Sequence, residues 1–240
     1  MTRSIRSWLA ALAFAAPLCA QAQAGGTRGL GDWSVAGAEI NTGRPFEDVR
    51  VGWPDVDFGY TFNVNPKMDM GIRFGLLYGV EYTSYSNFGI DLYAPLRFEV
   101  AHTGSVNVLV HVDPGLKLYT GGYYSVTGVC FNGVTTFPCT VSGGSAQFGF
   151  MFPVGVVVGG SPMPNLEVGG GFDLNLALFV TSPVDFVIGP MVGPYVEYHF
   201  PDPKVAVGLT TRFGAAIPTA SGFPTSFGFL VQAYAGYRLF

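Results

Sequence analysis

Beyond its first two dozen residues the sequence has no uninterrupted apolar run of the roughly 20 residues that a membrane-spanning helix needs. Charge is also scarce. Asp, Glu, Lys and Arg make up 12% of the chain against 49% hydrophobic residues, and the mean hydropathy is +0.36. The first shortage excludes a helical membrane protein, and the second argues against an ordinary solvated surface. Strands closed into a barrel satisfy both, because a closed ring leaves no unpaired backbone edge in lipid. Histidine and cysteine are rare too, three of each. That scarcity leaves little material for a metal centre, and neither a metal nor a cofactor is expected.

What the chain does have begins with an export address. Arg3 and Arg6 form a basic n-region, Trp8 to Leu18 an apolar h-region, and Ala22-Gln23-Ala24 a small-residue cleavage site. Residues 1–24 therefore read as a cleaved signal peptide and residues 25–240 as a single barrel domain. Ala16-Pro17-Leu18 ahead of Cys19 lacks the leucine expected at the third position upstream of a lipoprotein cysteine, where Ala16 stands. The processed chain carries ten basic residues against sixteen acidic ones, the wrong sign for a nucleic-acid partner. Its cysteines are reduced to Cys130 and Cys139, in a Gly/Thr/Ser-rich segment bound for an oxidising compartment. A disulfide is the expected state, since two thiols with no nearby histidine do not complete a metal's ligand set.

The fold is carried by alternation. Met70, Ile72, Phe74, Leu76, Tyr78 and Val80 share one face, and Gly71, Arg73, Gly75, Leu77, Gly79 and Glu81 the other. This is the period of a strand. The pattern recurs at about 55–64, 88–100, 106–119, 146–158, 166–180, 184–200, 204–216 and 226–240. A weaker first strand is placed near 31–40, where Trp33, Val35, Ala36, Ala38 and Ile40 do not settle on one face. The class is all-β: a closed antiparallel transmembrane barrel of about ten strands, with eight or twelve as the alternatives.

A soluble sandwich alternates in the same way, so the polar faces decide. They are dense in glycine (Gly71, Gly75, Gly149, Gly155, Gly169, Gly171, Gly208), a poor solvated surface but a natural choice where a narrow lumen must fit side chains from opposite walls. Short turns at 65–67, 102–104, 161–164 and 201–203 alternate with mostly longer connections at 41–54, 81–87, 120–145 and 217–225, with 181–183 short. This asymmetry predicts short periplasmic turns and external loops.

The signal peptide, the strand pattern and the ending Ala235-Gly236-Tyr237-Arg238-Leu239-Phe240 resemble small bacterial outer-membrane barrels of the OmpA-type superfamily. The resemblance implies the outer membrane of a Gram-negative bacterium. It further implies lipid as a partner, and the outer-membrane assembly machinery as a second, reached through the terminal strand at Phe240. The protein is expected to be a monomer.

The lumenal faces gather a polar network: Asp57, Arg73, Asp91, Arg97, Glu99, His111, Asp113, Lys117, Glu167, Asp173, Asp185, Glu197, Arg212 and Arg238. Paired charges in a low-dielectric lumen read as a salt-bridged plug, with Tyr93, Tyr119, Tyr195 and Tyr234 filling space left by glycine. His111 and Asp113, two residues apart on one face, could serve acid or base chemistry. Omptin proteases, ten-stranded barrels, carry such groups near the outer rim, whereas this pair falls near mid-depth. A structural or narrow-channel barrel, not an enzyme, is the expectation; the alternatives are a surface adhesin or receptor acting through loop 120–145, and a barrel enzyme.

Overall fold

The computed structural model describes residues 33–78, 88–103, 106–119, 124–131, 136–143, 146–181, 184–200, 204–219 and 225–239. The signal peptide, Glu81 and Phe240 lie outside the described residues. The strands are β1 (Phe46–Trp53), β2 (Asp55–Asn65), β3 (Met68–Leu77), β4 (Gly89–Tyr93), β5 (Leu96–Thr103), β6 (Val106–Val112), β7 (Gly115–Tyr119), β8 (Tyr124–Phe131), β9 (Thr136–Gly143), β10 (Gln147–Met151), β11 (Val154–Met163), β12 (Leu166–Phe179), β13 (Asp185–His199), β14 (Val205–Pro218) and β15 (Ser226–Arg238).

Pairs β4/β5, β6/β7 and β10/β11 each form one stave across a proline, so the wall is a closed antiparallel barrel of ten staves. The ring closes where β1 pairs with β15, from Phe46 opposite Arg238 to Trp53 opposite Val231. β8 and β9 make a separate two-stranded sheet.

Alternation decides what each stave shows to either side. Ile72, Phe74, Leu116, Phe150, Val156, Phe172, Val192 and Phe213 are exposed on the outside, while Asp57, Asp69, Asp91, Arg97, Lys117, Glu197 and Gln232 are buried within. Oil outside and charge inside is the reverse of a soluble domain.

Proline is normally excluded from the middle of a sheet because it lacks the ladder donor. Here Pro95, Pro114 and Pro153 stand opposite Gly71, Ala94 and Asp113 in three consecutive seams. In each pair the proline carbonyl still accepts, from Gly71 N, Ala94 N and Asp113 N, all at 2.9 Å. The reciprocal bond has no donor, so each seam keeps half of a hydrogen-bonded pair at that height.

One end of the barrel carries tight turns, Pro66-Lys67 between β2 and β3 and Pro164-Asn165 between β11 and β12. Asn165 adopts φ 68°, a left-handed conformation that asparagine tolerates better than most residues. The first and last strand ends, Phe46 and Arg238, lie at this end. The opposite end carries the longer connections, including the one holding β8 and β9.

The weak strand expected at 31–40 is not in the wall. Residues 33–45 form no strand, and the first stave, β1, falls within the expected loop 41–54. Exchanging one strand for another leaves the count at ten. The missing face preference has a physical cause: the segment lies inside the lumen, away from both lipid and bulk water, and Trp33, Val35, Ala38 and Ile40 are each at most 2% exposed.

Candidate functional site: a lumen in three layers

At the tight-turn end the lumen is filled by residues 33–41, held through their main chain. Val35 N donates to both oxygens of Glu197 at 3.1 Å, Ala36 N to Glu197 Oε2 at 3.2 Å, Ala38 N to Glu167 Oε1 at 2.8 Å and Asn41 N to Asp69 Oδ2 at 2.9 Å. In the other direction Arg97 Nη1 donates to Ser34 O at 2.9 Å, Arg50 Nη2 to Val35 O at 3.0 Å and Asn63 Nδ2 to Asn41 O at 2.5 Å. Trp33 packs on Phe46, ring centroids 4.9 Å apart, and edge-on to His199. Trp33 and Asn41 both sit near strand ends at the tight-turn rim, so the segment dips in and returns.

Glu167 and Glu197 stand directly opposite each other on β12 and β13, a destabilising arrangement for two like charges. Donors from the inserted segment, the Tyr195 hydroxyl at 2.6 Å from Glu167, and His199 Nε2 at 2.8 Å from Glu197 offset that repulsion.

The middle layer holds a cavity of about 200 Å³ whose border includes the charged residues Arg50, Asp57, Arg73, His111, Asp173 and Arg212 beside apolar ones such as Leu109 and Val157. Asp48 accepts two bonds from Arg73, at 2.8 and 3.0 Å, and one from Arg50 at 3.3 Å. His111 is clasped on both sides, Nδ1 at 2.7 Å from Asp113 and Nε2 at 2.9 Å from Asp173. Arg212 Nε reaches the other oxygen of Asp173 at 2.7 Å. Arg97 forks onto Asp69 at 2.6 and 2.8 Å, and Lys117 stands 4.0 Å from Asp91. Such wide side chains fit because the neighbouring wall positions are bare. A Cβ on Gly155 would strike His111 and Asp173, and one on Gly159 would strike the Tyr195 hydroxyl and Glu167.

The third layer, toward the long connections, is apolar. Leu77, Tyr119, Met151, Ala177, Phe179, Val187 and Ala216 form one buried cluster with Tyr93 packed against it.

Of the expected network, Asp57, Arg73, Asp91, Arg97, His111, Asp113, Lys117, Glu167, Asp173, Glu197 and Arg212 come together in the tight-turn and middle layers. Asp185 stands apart at the long-connection rim, accepting from Thr219 N at 3.0 Å. Arg238 lies at the opposite rim beside Gly43. Glu99 is half-buried at a bulge in β5. Sequence reading missed Asp48, Arg50, Asp55, Asp69, His199 and Gln232. Asp48 and Arg50 alternate with Val49 and Val51, a signal present in a stretch taken for a loop. Cys130 pairs with Phe137 and Cys139 with Gly128, so the cysteines are two residues out of direct opposition.

The sequence matches no protein-family model and no curated protein. Among solved structures, the outer membrane protease OmpT from Escherichia coli is similar at 10% identity, covering 82% of this chain and 93% of that one with a TM-score of 0.46.

Proposed function

We propose that this chain is a monomeric integral outer-membrane barrel whose lumen is closed at rest, acting as a structural barrel or a very narrow channel. The observation that carries the reading is the joint blockage: a main-chain-bonded insert at one end and an apolar cluster at the other, within an oily outer wall. Short turns and both strand termini at one end support a periplasmic orientation for it, as in outer-membrane barrels generally. Lipid and the assembly machinery, the latter through the C-terminal strand ending at Phe240, are the partners this reading needs.

Geometry also supports a non-catalytic role for the histidine. A general base needs a ring nitrogen free to take a proton, and both nitrogens of His111 face carboxylates. A second reading, a surface module acting through residues 120–145, draws on the separate β8–β9 sheet within the longest connection.

The test is single-channel recording in planar bilayers. A low baseline current is expected, rising to a small cation-preferring conductance when Arg73→Gln or Arg212→Gln unpairs a lumenal carboxylate. A large, weakly selective wild-type current, unmoved by either change, would overturn the closed-lumen reading.

A further inference from the structure

We propose that the tight-turn half of the lumen is a binding site for a bent polypeptide segment, recognised through its main chain, and that residues 33–41 occupy it in cis as an exchangeable ligand. The site deepens the closed-lumen reading and rests on it, but the two fail separately: current tests the one and peptide binding the other.

Three observations lead here. First, the partners are matched to a peptide backbone. Carboxylates of Glu167, Glu197 and Asp69 accept four N–H groups, and Arg50, Arg97 and Asn63 donate to three carbonyls. These six side chains come from six different strands and converge on one segment that has no ladder pairing of its own. Buried peptide groups must find partners, and here the wall's side chains supply what a sheet would.

Second, the site is sensitive to size at one point. A Cβ added to Gly37 would push aside both carboxylate oxygens of Glu167 and the Ser34 hydroxyl, the side-chain ends that accept from Ala38 N and Gly37 N. The ligand class is therefore a segment that bends around a glycine at that position. Third, the segment is placed to leave. It enters and returns at the same end, and Val35, Ala36 and Gly37 border the cavity instead of packing against a wall on that side. Its tether holds it near the site at an effective concentration on the order of millimolar, so a free peptide at micromolar concentration does not compete with it.

The experiment uses the full-length processed chain in detergent and a fluorescein-labelled synthetic peptide of residues 31–43, read by anisotropy. Wild-type protein is expected to bind none of the peptide at micromolar concentration. Gly37→Val, which expels the tethered segment, is expected to bind it, and the further change Glu197→Gln to weaken that binding at least tenfold. A peptide carrying the same Gly37→Val change should not bind. In a Trp53→Phe background, acrylamide quenching of Trp33 should rise several-fold with the host Gly37→Val change. Should Gly37→Val fail to fold, Ala38→Pro, which deletes the N–H donated to Glu167, serves as the second host. Shielding of Trp33 in both hosts would overturn the proposal, and so would a host with Trp33 exposed that takes up no peptide.

Discussion

At the scale of single residues, the lumen shows what a buried charge requires. Asp173 is shared by His111 and Arg212, and each contact is charge-assisted. Removing one member strands the others in a low-dielectric interior, which costs about 3 to 5 kcal/mol. Arg212→Leu should therefore lower unfolding stability by about that amount, measured by urea titration of the refolded barrel. Restoring neutrality with Asp173→Asn in the same chain should recover part of the loss. Gly155→Val should be as damaging without removing any charge, because its side chain displaces His111 and Asp173 together. Much of this was legible beforehand: Arg73, His111, Asp113, Asp173 and Arg212 all fall on the polar face of an alternating run. Their pairing was not, since period two assigns a face but says nothing of which strands become neighbours across the ring.

Among the elements, the staves obey alternation even where local chemistry opposes it. Residues 88–100, 106–119 and 146–158 each contain a proline and each remained a stave, because neighbours on both sides hold the strand while one bond is missing. Val156 and Phe172 face outward near the middle of their staves. Val156→Arg should cost about 2 to 4 kcal/mol of folding stability in bilayers, and Phe227→Arg, at the rim, about 0 to 1; equal losses at the two depths would contradict the lipid-facing assignment. The β8–β9 sheet stands apart from the wall's ladders, so replacing residues 122–145 with a short Gly-Ser linker should leave barrel stability unchanged within about 0.5 kcal/mol, as for surface changes generally. Joining Cys130 to Cys139 needs direct opposition, so oxidation is expected to slide β8 along β9 by two residues. Thiol labelling before and after reduction, with mass spectrometry of the loop, reads that state.

For the molecule as a whole, the ring and its inside-out polarity were foreseeable, but the way the ends are stopped was not. Residues 33–41 have no period, and a segment bonded by side chains from six strands leaves no trace in its own spacing. The apolar cluster was hidden for a related reason: Leu77, Met151 and Val187 sit on faces that are polar elsewhere, and only depth in the barrel distinguishes them.

The row of Pro95, Pro114 and Pro153 bears on how this wall responds to force. Three adjacent seams at one height keep single bonds, and across the ring Pro190 and Pro194 fall in gaps of the β13–β14 ladder, between Ile188 and Met191 and between Val192 and Tyr195. A ring so weakened in two sectors is not equally stiff around its circumference. Squeezed by the sideways pressure of crowded neighbours, it yields first along those sectors and flattens toward an ellipse, with the proline positions as its creases. The stretches between them keep their curvature.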